Sequence, residues 1–510
     1  MGFGFQWLQC HRFLHMALYM PCDAIWQDRS AVERKVKALF HCTKPSNLTV
    51  AFAIVPSTAL FQIGVQMRFL NEMKSACIFA MLSICAVQVS AQNLPDPITD
   101  ADYRPLNLNE AKLGQSLFYD PILSGNRNVA CATCHHPKFG TSDGVSLSFG
   151  DGGIGLGPER KADPLDPPEN RIPRNAPALF NLGATEFTVM FHDGRLEAAE
   201  DHPGGLRSPM DADMLSGFAS VLSAQTMFPV LSADEMAGSY KKNDIARAVR
   251  QGRITGPGGA WDLLSRRVAA IPDYAAQFKA VYPHIEIPDD IAFTDISNAI
   301  AAFMAFEWRS DTSPFDAYLR NEGALDPLAK EGLALFYGDA GCATCHSGPF
   351  QTDHGFHAMA APQIGPGKAA VFEDHHRDEG RFRVTGDQDD LYAFRTPSLR
   401  NVALTGPYGH AGSHRELAAF IADHANPVAG LTRYDRAQAL LPDHSAQDFT
   451  VLDDPEQVAA IAASVKAPVI GLQPAHIQAI IAFLDSLTDP VAVQGRLGVP
   501  DSVPSGLPVP

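Results

Sequence analysis

Cys131-Ala132-Thr133-Cys134-His135 and Cys342-Ala343-Thr344-Cys345-His346 are one pentapeptide used twice, and the rest of the chain is organised around them. Two thiols about one helical turn apart can add to the two vinyl groups of a haem, and the following histidine can reach its iron. A lone Cys-x-x-Cys would suit a redox dithiol or half of a zinc site. Two copies, each ending in histidine, read as two c-type haem attachment sites. Cys131, Cys134 and His135 are the expected anchors of haem 1, and Cys342, Cys345 and His346 those of haem 2.

The flanks repeat as well. Gly114-Gln115-Ser116-Leu117-Phe118-Tyr119 precedes the first pentapeptide and Gly332-Leu333-Ala334-Leu335-Phe336-Tyr337 the second. Each closes an amphipathic stretch that opens at a capping-type residue, Asn109 or Asp326. Further on, Ala299-Ile300-Ala301-Ala302-Phe303 matches Ala479-Ile480-Ile481-Ala482-Phe483, each inside an apolar run of helical period. A first helix with a glycine for close approach, a haem motif and a late helix crossing the first make one small helical unit. The expected fold class is all-α, with two cytochrome c-like haem domains over 92–315 and 316–495. Gly/Pro-rich stretches such as 150–178 and 347–390 are expected as long irregular loops around the haems, and 496–510 as a loose tail.

Upstream, Met73 to Ala91 has one lysine, an apolar run and Val89-Ser90-Ala91 before a polar, proline-containing start. That is the pattern of a cleaved secretory signal peptide over 73–91, which implies export to the periplasm, where haem c is attached. Residues 1–72 precede it and read as a mis-annotated N-terminal extension. Of the nine cysteines, the four beyond residue 91 all belong to the two pentapeptides. The 510-residue chain carries 40 basic and 57 acidic side chains, a formal charge of −17. This balance disfavours nucleic acid as a partner. No window after residue 91 has the ~18 uninterrupted apolar residues of a membrane span.

Several separated motifs resemble the bacterial di-haem cytochrome c peroxidase superfamily, including its MauG-like branch. They are Leu117-Phe118-Tyr119-Asp120, Leu123-Ser124-Gly125, Arg174-Asn175-Ala176-Pro177 and His192-Asp193-Gly194-Arg195. Ser313-Pro314-Phe315-Asp316, Arg395-Thr396-Pro397-Ser398-Leu399-Arg400-Asn401-Val402 and Leu404-Thr405-Gly406-Pro407-Tyr408-Gly409-His410 complete the set. The resemblance implies a peroxidatic N-terminal haem and an electron-transferring C-terminal haem. Many members have a removable distal histidine sixteen residues past the first proximal one. Here that position is Asp151, so haem 1 is expected to be five-coordinate. The second haem of the family takes a ligand fourteen residues after the Pro-Tyr-x-His histidine, which here is His424. His346 and His424 are therefore the expected iron ligands of haem 2, with His414 and Met359 as fallbacks.

The resemblance also implies a glutamate six residues after a proline and followed by methionine as general acid/base. Pro229 to Met236 reproduces that spacing and assigns Glu235. A calcium ion between the haems would take Asn175, Thr405 and Pro407, oxygen donors suited to a hard cation. The family's inter-haem tryptophan is replaced by His192. The leading expectation is a peroxidase that reduces hydrogen peroxide with electrons from a cytochrome c or a copper protein. One alternative is a MauG-like enzyme that oxidises side chains of a partner protein; another is a non-catalytic di-haem electron-transfer cytochrome. The resemblance leaves monomer and homodimer open.

Overall fold

Asn107 sets the start of the first helix: its side-chain oxygen accepts the backbone N–H groups of Asn109 and Glu110, two of the donors a helix start leaves open. The cap thus lies two residues before Asn109. The computed structural model describes residues 94–510 apart from 370–372 and 445. The extension over 1–72 and the signal peptide over 73–91 lie outside the described residues.

The chain is helical in the main. Helices α1 (Leu108–Tyr119), α2 (Cys131–Cys134), α3 (Ala260–Ala269), α4 (Pro272–Val281) and α5 (Phe293–Glu307) surround the first haem motif. Helices α6 (Pro327–Phe336), α7 (Leu417–His424) and α8 (Pro474–Asp485) surround the second. Helix α1 turns Leu113, Leu117 and Phe118 inward and crosses α5 at Gly114, where an added Cβ would stand 1.8 Å from the Ala299 carbonyl oxygen. Only a glycine permits that approach. Helices α6 and α8 repeat the crossing.

Each crossing seeds its own core. Around the first, Phe118 packs on Phe303 and Trp308 with centroids 5.3 and 5.1 Å apart, and Trp261, Tyr274 and Phe278 extend the cluster. Around the second, Phe483 meets Phe336 at 5.0 Å and Phe315 at 5.3 Å. Burying each such side chain stabilises the fold by about 1.5–3 kcal/mol before entropy is counted.

The loops are more ordered than an all-α reading implies, because short strands staple them. Strands β1 (Gly153–Ile154) and β2 (Lys161–Ala162) pair antiparallel. Strands β3 (Val189–Met190), β4 (Leu196–Ala198) and β5 (Leu206–Arg207) form a three-stranded sheet. Strand β6 (Phe356–His357) pairs with β7 (Phe394–Arg395). Side chains do the rest. Buried Arg160 donates to the carbonyls of Phe149, Gly150 and Gly155 at 2.6, 2.6 and 2.8 Å, which fixes the segment sixteen residues beyond His135. Links such as Ser146 N–H to the Leu440 carbonyl, 2.9 Å, and Arg171 to Asp448, 2.8 Å, join this region to the C-terminal part of the chain.

The tail over 496–510, expected to be loose, is docked instead. Buried Glu307 at the end of α5 accepts the backbone N–H groups of Arg496, Leu497 and Gly498 at 2.9, 2.6 and 2.8 Å. Ser505 donates to Asp120 at 2.6 Å, and Val503 is buried in the first core. Composition alone did not reveal this, since the partners are single carboxylates about two hundred or more residues away. Among the described residues no helix is long and apolar enough to cross a membrane.

Candidate functional site

Cys131 and Cys134 occupy the one-turn helix α2, and His135 caps it with its N–H on the Cys131 carbonyl, 2.9 Å. In the second unit a 3₁₀ turn carries Cys342, and the His346 N–H reaches the Cys342 carbonyl at 3.0 Å. The two histidines are oriented alike. His135 Nδ1 lies 3.0 Å from the Thr141 carbonyl and His346 Nδ1 lies 3.1 Å from that of Gln351. Both carbonyls belong to residues with left-handed backbone, Thr141 at φ 61° and Gln351 at φ 49°. With Nδ1–H donating to a carbonyl, Nε2 keeps its lone pair for a metal. Burial lowers both pKa values and keeps the rings neutral, the ligating form.

The four cysteines are unpaired thiols. Burial pushes Cys131 and Cys134 up to about 12 and Cys342 up to about 11. That direction is the opposite of the downward shift of a redox-active thiol. The residues fit haem c. At the second unit the fit is metrical. His424, the last residue of α7, places its ring centroid 6.4 Å from that of His346. A metal–imidazole bond of about 2 Å plus about 1 Å from nitrogen to ring centre, taken on both sides, gives roughly 6 Å. Phe420 stacks on His424 at 5.3 Å and holds it. Burial and the facing imidazoles of His346 and His357 bring His424 down to about 4. The fallback His414 is engaged elsewhere, with Asp423 at 3.0 Å and Ser413 at 2.9 Å.

The first unit differs. Among the described residues no second imidazole packs ring to ring with His135. Asp151 is buried, and its Oδ1 accepts from Asn126 and Asn128 at 2.9 and 3.0 Å. Its backbone N–H donates to the Glu235 carbonyl at 2.9 Å. Glu235 sits on a π-turn, Ala233–Ala237, whose carbonyls also receive Gly125 N–H at Met236, 2.7 Å. Such turns redirect one side chain out of helical register and recur at functional sites. Gly150 lies so close that a Cβ there would stand 2.5 Å from Glu235 Cα. The carboxyl is near enough to Cys134 to act on it electrostatically, and burial raises its pKa against the pull of Lys368 and Arg195.

Between the units, His192 Nε2 lies 3.2 Å from the Asn175 carbonyl, and burial with the Arg174 charge brings the ring down to about 3. His410 stacks on Phe394 at 3.7 Å, and neither of its ring nitrogens has a hydrogen-bond partner. Arg174 is gripped by Asp378 through two bonds of 2.7 and 2.8 Å and by Asp193 at 2.7 Å. Asn175 donates its side-chain amide to the Val145 and Ser146 carbonyls and its N–H to the His410 carbonyl. Thr405 bonds locally to the Val402 carbonyl, and Pro407 follows a cis peptide. Among the described residues no hydrogen bond joins Asn175 to Thr405 or Pro407. Lys368 and Asp378 escaped the sequence reading because they lie on an irregular loop with no periodicity to mark them. Arg174 stood in a quoted motif but carried no sign of its partners.

The family model for di-haem cytochrome c peroxidase matches residues 109–324. The chain is 30% identical over 341 residues to cytochrome c551 peroxidase of Pseudomonas aeruginosa, spanning 66% of this chain and 78% of that one. It is 31% identical over 334 residues to methylamine utilization protein MauG of Methylorubrum extorquens, spanning 65% and 72%. A crystal structure of a MauG-like protein associated with microbial copper homeostasis aligns over 79% of this chain and 95% of its own, with 26% identity and a TM-score of 0.48.

Proposed function

The chain belongs to the di-haem cytochrome c peroxidase family, and from that premise we propose that it is a periplasmic enzyme reducing hydrogen peroxide with electrons from a small redox protein. Haem c bound at each Cys-Ala-Thr-Cys-His unit supplies the iron redox chemistry. Cys131 and Cys134 would tether one haem, and His135 would hold its iron. Cys342 and Cys345 would tether the other, and His346 and His424 would hold its iron between them. In this reading 92–315 carries the peroxidatic haem and 316–495 the electron-transfer haem.

The observation that carries the reading is the asymmetry between the two proximal histidines. His424 faces His346 at 6.4 Å, whereas the position sixteen residues past His135 holds an aspartate bonded to two asparagines. A site meant for peroxide needs one face clear of protein ligands. Glu235, whose backbone carbonyl holds the Asp151 N–H at 2.9 Å, is the acid and base of that face. Ionised, its carboxylate takes the proton from one peroxide oxygen; protonated, it returns that proton to the other as the O–O bond breaks. Hydrogen peroxide, two electrons and two protons then give two waters.

Asn175, Thr405 and Pro407 are the proposed calcium ligands. The support is chemical: the Asn175 amide nitrogen is engaged with two carbonyls, so its oxygen would be the donor to a hard cation. Electron paramagnetic resonance of the oxidised holoprotein tests the whole reading. One high-spin and one low-spin ferric signal are expected, and two low-spin signals would overturn it.

A further inference from the structure

The carbonyls of Glu235, Met236 and Ala237 close the π-turn that carries the candidate base, and each is bonded from outside it. Glu235 accepts the Asp151 N–H at 2.9 Å, Met236 the Gly125 N–H at 2.7 Å and Ala237 the Asn243 side-chain amide at 2.9 Å. Within the turn the ties are poorer. The N–H groups of Glu235, Met236 and Ala237 all converge on the Ser232 carbonyl, at 3.2, 3.1 and 2.9 Å. A carbonyl oxygen has two lone pairs, so three donors cannot all be served well. The shape of the turn is therefore set by its neighbours.

Those neighbours are joined to one another. Asp151 Oδ1 accepts from Asn126, which follows Gly125, at 2.9 Å and from Asn128 at 3.0 Å. Asn126 Oδ1 in turn accepts from the Asn243 amide at 2.9 Å, and Asn243 uses its own oxygen to cap the helix Asp244–Arg250 at the Ala246 N–H, 2.7 Å. The path closes on itself: Asp151 to Asn126, Asn126 to Asn243, Asn243 to the Ala237 carbonyl, then along the turn to Glu235 and back to the Asp151 N–H. It is packed tight. A Cβ on Gly238 would stand 2.9 Å from Asn126 Nδ2 and 3.0 Å from Asp151 Oδ2. The Gly150–Asp151 peptide is gripped on its other side too, where the Gly150 carbonyl accepts from buried Arg160 at 2.6 Å. Lys242 Nζ stands 3.7 Å from Asp151 Oδ2 and 2.5 Å from Asp166, so both carboxylate oxygens of Asp151 face a partner.

We infer that Asp151 is a positioning residue for the peroxide reaction: its carboxylate braces the π-turn through Asn126 and Asn243 and so holds Glu235 in place, rather than serving as an iron ligand. The inference rests on Glu235 being the base. A ring of hydrogen bonds with no open member resists the small displacements that a lone bond allows. Displacing a reacting group by about 1 Å can cost up to about 10²-fold in rate.

Asp151→Ala tests this in the holoprotein, since it removes the acceptor shared by Asn126 and Asn128. The rate with hydrogen peroxide is expected to fall by about 10-fold or more, up to about 10²-fold. Asp151→Asn, which still offers one oxygen to both amides, should restore most of it. On the Glu235→Gln background Asp151→Ala should slow the reaction no further, because residues acting as one unit are not additive. A readout independent of turnover is amide hydrogen exchange over 232–238, which should quicken in Asp151→Ala and not in Asp151→Asn. Both variants should keep the ferric haem signals of the parent. Should Asp151→Ala assemble poorly, Asn243→Asp gives the same readings, because it keeps the oxygen that caps the helix and loses the amide that holds Asn126 and Ala237. The proposal is overturned if Asp151→Ala leaves rate and exchange unchanged, slows the Glu235→Gln background as much as the parent, or alters the spin state of a haem. A Glu235→Gln variant as fast as the parent overturns the base assignment, whereas unchanged exchange overturns the brace, so the two failures are told apart.

Discussion

Gly332 lies flat on the carbonyl group of Ala479, so close that an added Cβ would stand 1.8 Å from its oxygen. Phe483 closes the other side, its Cβ 2.9 Å from the same point. Nothing there is the flexible end of a side chain; the obstacles are backbone and a packed aromatic stem. Gly332→Ala must push α6 and α8 apart, and overpacking of this kind costs about 1–3 kcal/mol. The melting temperature of the holoprotein should fall by several degrees. Gly114→Ala, against Ala299, should do the same in the first core, and an unchanged melting temperature in both would refute the crossing.

Removing His424 should open the second haem without detaching it. His424→Ala is expected to convert the low-spin ferric signal into a second high-spin one, with added imidazole restoring the original spectrum. A variant that stays low-spin before imidazole is added would mean another side chain takes the position. His414 is poorly placed for that, since both its ring nitrogens are engaged.

Glu235→Gln keeps the shape of the side chain and removes its proton chemistry. The bimolecular reaction with hydrogen peroxide should slow by about 10²-fold or more, the usual scale for losing a general acid/base. Both haems should keep their resting spectra, because Glu235 is not expected to ligate either iron. Stopped-flow spectroscopy measures the rate directly, and an unchanged rate would assign the proton to another group.

Much of this was legible because the chemistry is local in sequence. Two thiols and an imidazole within five residues mark each Cys-Ala-Thr-Cys-His unit, and the paired glycines and phenylalanines announced the crossings that α1 with α5 and α6 with α8 make. What stayed hidden depends on contacts between distant segments. The clamp of Asp378 on Arg174 and the docking of 496–510 onto Glu307 join residues up to about two hundred apart, and no periodicity encodes such pairs. The short strands were missed for a related reason. Two-residue pairings such as Gly153 with Ala162 are too brief to show alternation.

The docked tail carries its own consequence. Glu307→Ala leaves the N–H groups of Arg496, Leu497 and Gly498 without their acceptor, together with a hole at the end of α5. An unpaired donor costs about 1–3 kcal/mol when fully buried, and because these three are part-buried, water offsets part of that. A net loss of about 2–4 kcal/mol is expected, measured by denaturant unfolding, along with faster proteolysis beyond Gly495. Equal stability and protease resistance would show that the tail contributes nothing to the first core.

The imidazoles of His192 and His410, between the two Cys-Ala-Thr-Cys-His units, predict how the fold responds to acid. His192 is held down to about 3 and His410 to about 4, against an ordinary histidine value of 6.5. In both cases burial is the main cause. Below about pH 6.5 the unfolded chain binds protons that these two rings refuse, so unfolding is favoured as pH falls. The slope is about 1.4 kcal/mol per pH unit per ring until the folded rings themselves titrate. The carboxylates held by Arg174 act lower, since Asp378 and Asp193 lie below their ordinary value of 3.8 and lose their contribution only under that pH. Between about pH 6 and about pH 4 these imidazoles therefore oppose the fold, while buried Asp143, pushed up to about 6, titrates there with the opposite sign. His192→Gln, which can still donate to the Asn175 carbonyl, should shed the slope of one ring there. Urea unfolding of the holoprotein at several pH values measures it, and a slope equal to that of the parent would mean His192 is not kept neutral by burial.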